Sequence, residues 1–368
     1  MTMNKILLVL IVASGFLLIF YANNDILTRK KLFSLFQSDY GHNSASNHNE
    51  TTNSDIRRVK YVPKNATEYN IFVIYTHETF VLKTKFELFL KSLLKYASIP
   101  LHLHIVTDER SELSVEDVLK KEINEYKRVV FYTLYNMADN AAKISDISKA
   151  MMPHFNSNPG SYYSDALFYL SLGLHRIVDP NMSKAILIDC DVVFRSDVKR
   201  LFDEFERFST ENLFGLAPEL TPVYRHILYK YRRFNPNTNF GNPYYPNSKS
   251  KSKRRKKKHG YPGLNSGVVM LNFDKIRNSK LFQENLKAEN VNRIAKKYWF
   301  KGHLGDQDYY TLLGYEFPSL IYRLDCIWNR QLCTWWKTHG YSEIFDAFFH
   351  CEGKVRLYHG NCNTRVPE

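Results

Sequence analysis

Two carboxylates one residue apart, Asp189 and Asp191, stand at the end of the apolar run AILI, residues 185–188. On an extended strand positions i and i+2 share a face, and a bend at the strand end lets both side chains reach one ion. Hard oxygen ligands suit Mn2+ or Mg2+, and a diphosphate can fill the remaining octahedral positions. An ion so placed is a Lewis acid for a departing phosphate. A bare D-x-D also describes a solvated loop; its place behind four apolar residues argues for the ion.

The C-terminal run LYHGN, 357–361, is a second short strand that ends in His359 and Gly360. His359 reads either as a nitrogen ligand to the same ion or as a hydrogen-bonded core histidine, and Gly360 lets backbone approach a phosphate. Asp306-Gln307-Asp308 offers carboxylates and an amide for sugar hydroxyls, or else the acidic first turn of a helix. Trp335 and Trp336 can stack on a sugar or simply pack.

These groups need a frame. Residues 70–75 (NIFVIY), 101–107 and 128–133 read as strands. Residues 82–96 and 115–126 carry helical spacing, with Phe86, Phe89, Leu90, Leu93 and Leu94 on one face. A helix is expected over 162–178 before the strand that carries Asp189, and another strand over 264–272. Alternation of this kind predicts an α/β sheet, mainly parallel, flanked by helices. Such sheets bind ligands beyond the carboxyl ends of their strands, which is where Asp189 and Asp191 fall.

With 44% apolar and 15% aromatic residues the chain has ample material for a core, which excludes a disordered protein. The formal charge is +14, but eight positives lie within 249–258 in a basic insertion (247–260), so the remainder carries 14 − 8 = +6. No general nucleic-acid surface is implied, and the insertion reads as a solvated loop. Residues 6–22 are an apolar stretch without a clean cleavage site. They read as a signal anchor behind a cytosolic tail (1–5), with a cleaved signal peptide as the alternative. Residues 23–68 are polar and rich in Asn and Ser, a stem that leaves 69–368 as the catalytic body.

The basic residues Arg29, Lys30 and Lys31 oppose the positive-inside rule for a lumenal body. Sequons at Asn49, Asn65 and Asn181, and the cluster Cys326, Cys333, Cys351 and Cys362, favour one. Four cysteines allow three pairings or a zinc site; the spacing lacks the C-x-x-C pair common in zinc sites.

Together, IDCD (188–191), LNSGVVMLN (264–272), GDQD (305–308) and His359-Gly360 resemble glycosyltransferase family 8, whose members have the Rossmann-like GT-A fold. TPVYRH (221–226), GHLGDQD (302–308), WNRQLCTWW (328–336) and YHGNCNT (358–364) resemble its xylosyltransferases. The resemblance covers roughly the last 300 residues. It implies a retaining α-1,3-xylosyltransferase of the endoplasmic reticulum membrane, single-pass type II, with Golgi residence as the alternative. The implied donor is UDP-xylose. The implied acceptor is the xylose of a xylose-glucose O-glycan on epidermal growth factor-like repeats of Notch-type proteins.

It further implies Asp189, Asp191 and His359 as ligands of Mn2+, with Mg2+ possible. Asp189, Asn265, Asp306, Gln307 and Gly360 would lie at the donor, and His303, Trp335, Trp336 and Asn361 at the acceptor. Gln307 and Asn361 take the catalytic positions, and the disulfides are Cys326–Cys351 and Cys333–Cys362. Two departures stand out: the basic insertion, and the absence of the family's final H-x-x-G-x-x-K, replaced here by His359-Gly360 and Arg365. The second leaves open which cation meets the phosphate.

An amide at position 307, where a double displacement would use a carboxylate, suits front-side displacement. A glucoside xylosyltransferase or glucosyltransferase of the same fold is the nearest alternative. A catalytically idle lectin-like protein is a second, and a nucleic-acid binder resting on the basic run is a third.

Overall fold

The computed structural model describes residues 69–156, 166–244 and 260–367. The expected anchor, the stem, the basic run at 249–258 and the sequons at Asn49 and Asn65 lie outside them. Among the described residues no helix is long and apolar enough to cross a membrane. Asn181 is exposed in a turn where its N–H donates to Asp179 Oδ1 at 2.8 Å.

The first half of the sheet is built by two successive crossovers. Strand β1 (Asn70–Tyr75) leads through the helix Phe80–Tyr96 to β2 (Leu101–Thr107), and the helix Glu109–Tyr126 leads to β3 (Val130–Asn136). The three strands are parallel. Their apolar runs are nearly continuous because helices cover both faces, as parallel sheets require. Both helices begin before the apolar spacing does. Thr79 Oγ1 accepts from Leu82 N at 3.1 Å, and Asp108 accepts from the N–H groups of Arg110 and Ser111. Alternate β1 residues serve opposite cores: Phe72 packs with Val106, Leu187 and Val269, whereas Ile71, Val73 and Tyr75 meet Phe86, Phe89, Leu90, Leu93 and Leu94.

The chain next adds β4 (Lys184–Ile188), parallel to β1 on the side away from β2. Progress across the sheet therefore reverses between β1 and β4, and their carboxyl ends border a crevice. β4 passes through Asp189-Cys190-Asp191 into β5 (Val192–Phe194). The sheet is completed by β6 (Phe214–Pro218), β7 (Leu264–Asn272) and β8 (Ile321–Arg323), in the order β3-β2-β1-β4-β7-β6-β8. β7 runs antiparallel to both neighbours, and the other pairs are parallel, so the sheet is mixed and mainly parallel as expected. A small second sheet joins β5 to β10 (Leu357–His359) and β9 (Arg330–Gln331).

The expected helix over 162–178 is corrected. Residues 162–165 lie outside the described residues; residues 166–167 are helical, a turn interrupts the helix at 168–169, and a short α-helix, Leu170–Gly173, and a 3-10 turn, Leu174–Arg176, follow. Gly173 packs directly on Ile144, where a Cβ would lie 3.0 Å from Ile144 Cβ, and the backbone tightens there. The third strand lies at 130–136 rather than 128–133. The helices Met137–Lys143 and Ser145–Phe155 add elements the sequence pattern did not suggest.

Candidate active site

Asp189 and Asp191 leave the carboxyl end of β4 on either side of Cys190. The Cys190 thiol turns inward and donates to Ile74 O at 3.0 Å, and its burial pushes the thiol up. β10 lies antiparallel to β5 with His359 opposite Val192, and Gly360 N donates to Asp191 O at 2.8 Å. His359 Nε2 thereby stands 3.5 Å from Asp189 Oδ2 and 3.3 Å from Asp191 Oδ1. One ligand atom from each residue fits within 4.8 Å of the others.

The other imidazole nitrogen, Nδ1, is 3.0 Å from Asn329 Oδ1. It donates there, so Nε2 is the nitrogen that faces the carboxylates, the arrangement common around bound metals. Two carboxylates and an imidazole are a donor set that Mn2+ accepts and Mg2+ accepts less readily. Burial alone would lower His359, but bonds and attraction from Asp189 and Asp191 push it up to about 10. A proton thus balances the carboxylates where a cation would otherwise do so. Burial would raise Asp191; His359 and Lys85 together hold its carboxyl below the ordinary range.

Gly267 of β7 makes room for the histidine: a Cβ there would sit 2.5 Å from His359 Nδ1. Gly360 is needed for its turn, since a Cβ would lie 2.6 Å from Thr364 O. Its N–H is already committed to Asp191 O. The disulfide Cys333–Cys362 fastens this C-terminal segment beside β9, and Cys326–Cys351 closes a neighbouring loop, both as implied by the family resemblance. Asp325, Cys326 and Cys351 also come together, but the two thiols are spent on each other.

Behind Asp189, Asp191 and His359 lies a buried polar network. Asn329 Nδ2 donates to Asn265 Oδ1 at 2.8 Å, and Asn265 Nδ2 donates to Glu219 Oε2 at 2.9 Å. Gln307 Nε2 donates to the same Glu219 oxygen at 3.3 Å and to Tyr224 Oη at 3.2 Å. Tyr224 passes its own proton to Asp308 Oδ1 at 3.0 Å. Burial pushes Glu219 up, against hydrogen bonds from Thr221 and Asn265 that lower it.

Gln307 opens the helix Asp306–Glu316. Both hydrogens of its amide are committed, and Oε1 takes Ser266 N at 3.2 Å. A lone pair of Oε1 is left for the site. Asp306 is clamped by hydroxyls, Ser266 Oγ at 3.0 Å and Ser171 Oγ on its other oxygen. Desolvation pushes its carboxyl up to about 7 in spite of those bonds. Asp308 reaches about 7 by burial as well, with Leu304 N and Tyr224 bonded to it.

The remaining expected residues fall into three places. Asn265 is buried, with Oδ1 taking Gly267 N and Asn329. Asn361 Oδ1 accepts from Leu332 N and Cys333 N, both at 2.9 Å, so this oxygen braces the adjacent loop. Trp336 stands on the rim with its ring centroid 5.3 Å from His226 and 5.3 Å from Tyr341. Trp335 is exposed and stacks on His339 at 3.7 Å. His303 is exposed as a residue, and partial desolvation of its imidazole together with repulsion from His226 lowers it.

Several contributors were not read from the sequence: Lys85, Ser171, Glu219, Tyr224, Ser266 and Asn329. Lys85 Nζ lies 3.6 Å from Asp191 Oδ2 and 2.9 Å from Asn363 Oδ1. Tyr224, Ser266 and Asn329 lie within the motif strings already singled out, which was the available signal; Lys85 and Ser171 gave none.

A mixed sheet with an acidic pair and a histidine at its switch point is the arrangement of a nucleotide-sugar transferase. The family model "Glycosyl transferase family 8" matches residues 70–346, and the chain belongs to that family. It is 39% identical over 311 residues to "Xyloside xylosyltransferase 1" of Homo sapiens, covering 82% of this chain and 75% of that protein. The Mus musculus protein of the same name is 38% identical over 311 residues. The crystal structure of the mouse protein in its apo form matches with a TM-score of 0.75 at 38% identity, covering 81% of this chain and 99% of that one.

Proposed function

We propose that this chain is a retaining α-1,3-xylosyltransferase. It takes xylose from UDP-xylose and adds it to the xylose of a xylose-glucose O-glycan on epidermal growth factor-like repeats of the Notch type. The observation that carries the reading is the convergence of Asp189, Asp191 and His359 Nε2 at the crevice between β1 and β4, linked through one network to the Gln307 amide. Similarity over 82% of the chain to the human protein named "Xyloside xylosyltransferase 1" supports xylosyl transfer to a xyloside. This proposal includes a signal anchor at 6–22 with the body in the lumen of the endoplasmic reticulum; the apolar run supports the anchor, the sequons support a lumenal body, and the family resemblance supports the compartment.

Asp189, Asp191 and His359 would hold Mn2+, which when bound gathers the donor diphosphate and takes up charge as UDP departs. Lys85, beside Asp191, is the cation that meets the phosphate in place of the missing C-terminal lysine. Gln307 turns its carbonyl oxygen toward the anomeric carbon, where a partial negative charge favours oxocarbenium character. The acceptor hydroxyl attacks the face that UDP leaves. The new glycosidic C–O bond forms as the C–O bond to the phosphate breaks, and the hydroxyl proton passes to the phosphate oxygen. His303 and Trp336 flank the acceptor, with His226 and Tyr341 beside them.

The test is transfer from UDP-xylose onto an epidermal growth factor-like repeat carrying xylose-glucose, beside one carrying glucose alone. Product on the disaccharide form alone is expected. Product on the glucose form alone would assign the chain to glucoside xylosyltransfer.

A further inference from the structure

Glu219 is a buried carboxylate with no ion pair among the described residues; Thr221 donates to it through its N–H at 2.9 Å and through its side chain, and Asn265 Nδ2 and Gln307 Nε2 converge on it as well. It lies one residue beyond β6, remote in sequence from every site motif except the one it precedes.

The donors that lead to it all point the same way. His359 Nδ1 donates to Asn329, Asn329 to Asn265 and Asn265 to Glu219. From the other side Gln307 donates to Glu219 directly. An amide can be turned end for end at little cost in shape, so an amide chain has no direction of its own. A carboxylate only accepts. Placed at the end of the chain, it acts together with Gly267 N, which donates to Asn265 Oδ1 at 3.1 Å, to hold Asn265 with Nδ2 toward Glu219 and Oδ1 toward Asn329, so that Asn329 presents Oδ1 to His359.

The consequence reaches both halves of the chemistry. With Asn329 Oδ1 facing it, His359 must carry its proton on Nδ1, leaving Nε2 for a cation. With Glu219 and Tyr224 Oη both taking hydrogens from Nε2, Gln307 must turn Oε1 outward. A reversed Gln307 would set its carbonyl against the carboxylate and leave Ser266 N without an acceptor.

We propose that Glu219 is a positioning residue that sets the polarity of this network, fixing the metal-facing nitrogen of His359 and the outward carbonyl of Gln307 at once. The inference rests on the metal-dependent transferase reading above. It goes beyond it by predicting that a residue touching neither cation nor sugar controls the handling of both.

The experiment compares the full-length wild type with Glu219→Gln and Tyr224→Phe. Mn2+ affinity is measured by calorimetry in the presence of UDP, and kcat is measured with UDP-xylose. Glu219→Gln keeps the shape but can donate. It is expected to lose roughly 10-fold or more in both Mn2+ affinity and kcat, the scale seen for partners of metal ligands. Tyr224→Phe removes one acceptor of the Gln307 amide and the donor to Asp308 Oδ1 but no bond to Asn265, Asn329 or His359, and is expected to lose kcat while Mn2+ affinity stays within about twofold.

Wild-type Mn2+ affinity in a folded Glu219→Gln would overturn the proposal, as would an equal loss of affinity and kcat in Tyr224→Phe. If Glu219→Gln does not fold, the Tyr224→Phe split decides alone. A wild type that neither binds Mn2+ nor transfers sugar removes the functional reading itself, and the inference falls with it.

Discussion

Asn329 Oδ1 accepts from His359 Nδ1 at 3.0 Å, and this bond is what turns the opposite nitrogen of the ring toward Asp189 and Asp191. Asp189, Asp191 and His359 come from two distant stretches of chain that the small β5-β10-β9 sheet brings side by side.

Removing either carboxylate leaves His359 Nε2 with one carboxylate beside it and a cation with two of the three ligands. Asp189→Asn and Asp191→Asn are each expected to lower transfer at least 10-fold while the circular dichroism spectrum is unchanged. Retained turnover in either would remove the metal assignment.

Gly267→Ala tests the fit of the ring. Its Cβ would fall on the His359 imidazole, so the ring or β7 must shift. The expected cost is about 1–3 kcal/mol of stability, together with weakened Mn2+ binding measured by calorimetry. An alanine variant with wild-type affinity would show that the ring need not lie against β7.

Lys85→Ala removes the ammonium that stands 3.6 Å from Asp191. Because Lys85 belongs to a well-capped helix with its Nζ on the site side, little change in Tm is expected, and KM for the sugar donor should rise. A KM equal to the wild type would leave phosphate binding to another group.

Asp306 makes stability depend on pH in a defined direction. Its folded carboxyl titrates near 7, above the ordinary value of about 3.9. The folded chain then binds the proton more tightly than the unfolded chain. The contribution of Asp306 is therefore fully present below about pH 3.9 and is lost as pH rises through 7. Relative to wild type, Asp306→Asn should gain in Tm between pH 4 and pH 7.5, measured without metal. A pH-independent difference would mean that the carboxyl is ionised throughout.

The frame was legible because both faces of β1, β2 and β4 are buried, which writes IFVIY of β1 and AILI of β4 as apolar runs, and because Phe86 to Leu94 mark one helical stripe. Asp189 and Asp191 stood out since charge at the end of such a run has no place in a core. Glu219 did not, because its partners Asn265 and Gln307 are 46 and 88 residues away and only β7 packing against β6 joins them. Helix starts were misjudged for a local reason: Thr79 and Asp108 cap them ahead of the first buried side chain. The short helix at Leu170–Gly173 was hidden by a close approach between Gly173 and Ile144 that no spacing rule reports.

The central claim is that Asp189, Asp191 and His359 together hold a divalent cation on which sugar transfer depends. The most direct measurement is turnover of UDP-xylose onto the xylose-glucose acceptor with Mn2+, after chelation, and after Mn2+ is restored. Activity that vanishes on chelation and returns with Mn2+ in the wild type, but does not return in Asp191→Asn, is the predicted result. Undiminished turnover in chelator would contradict the account.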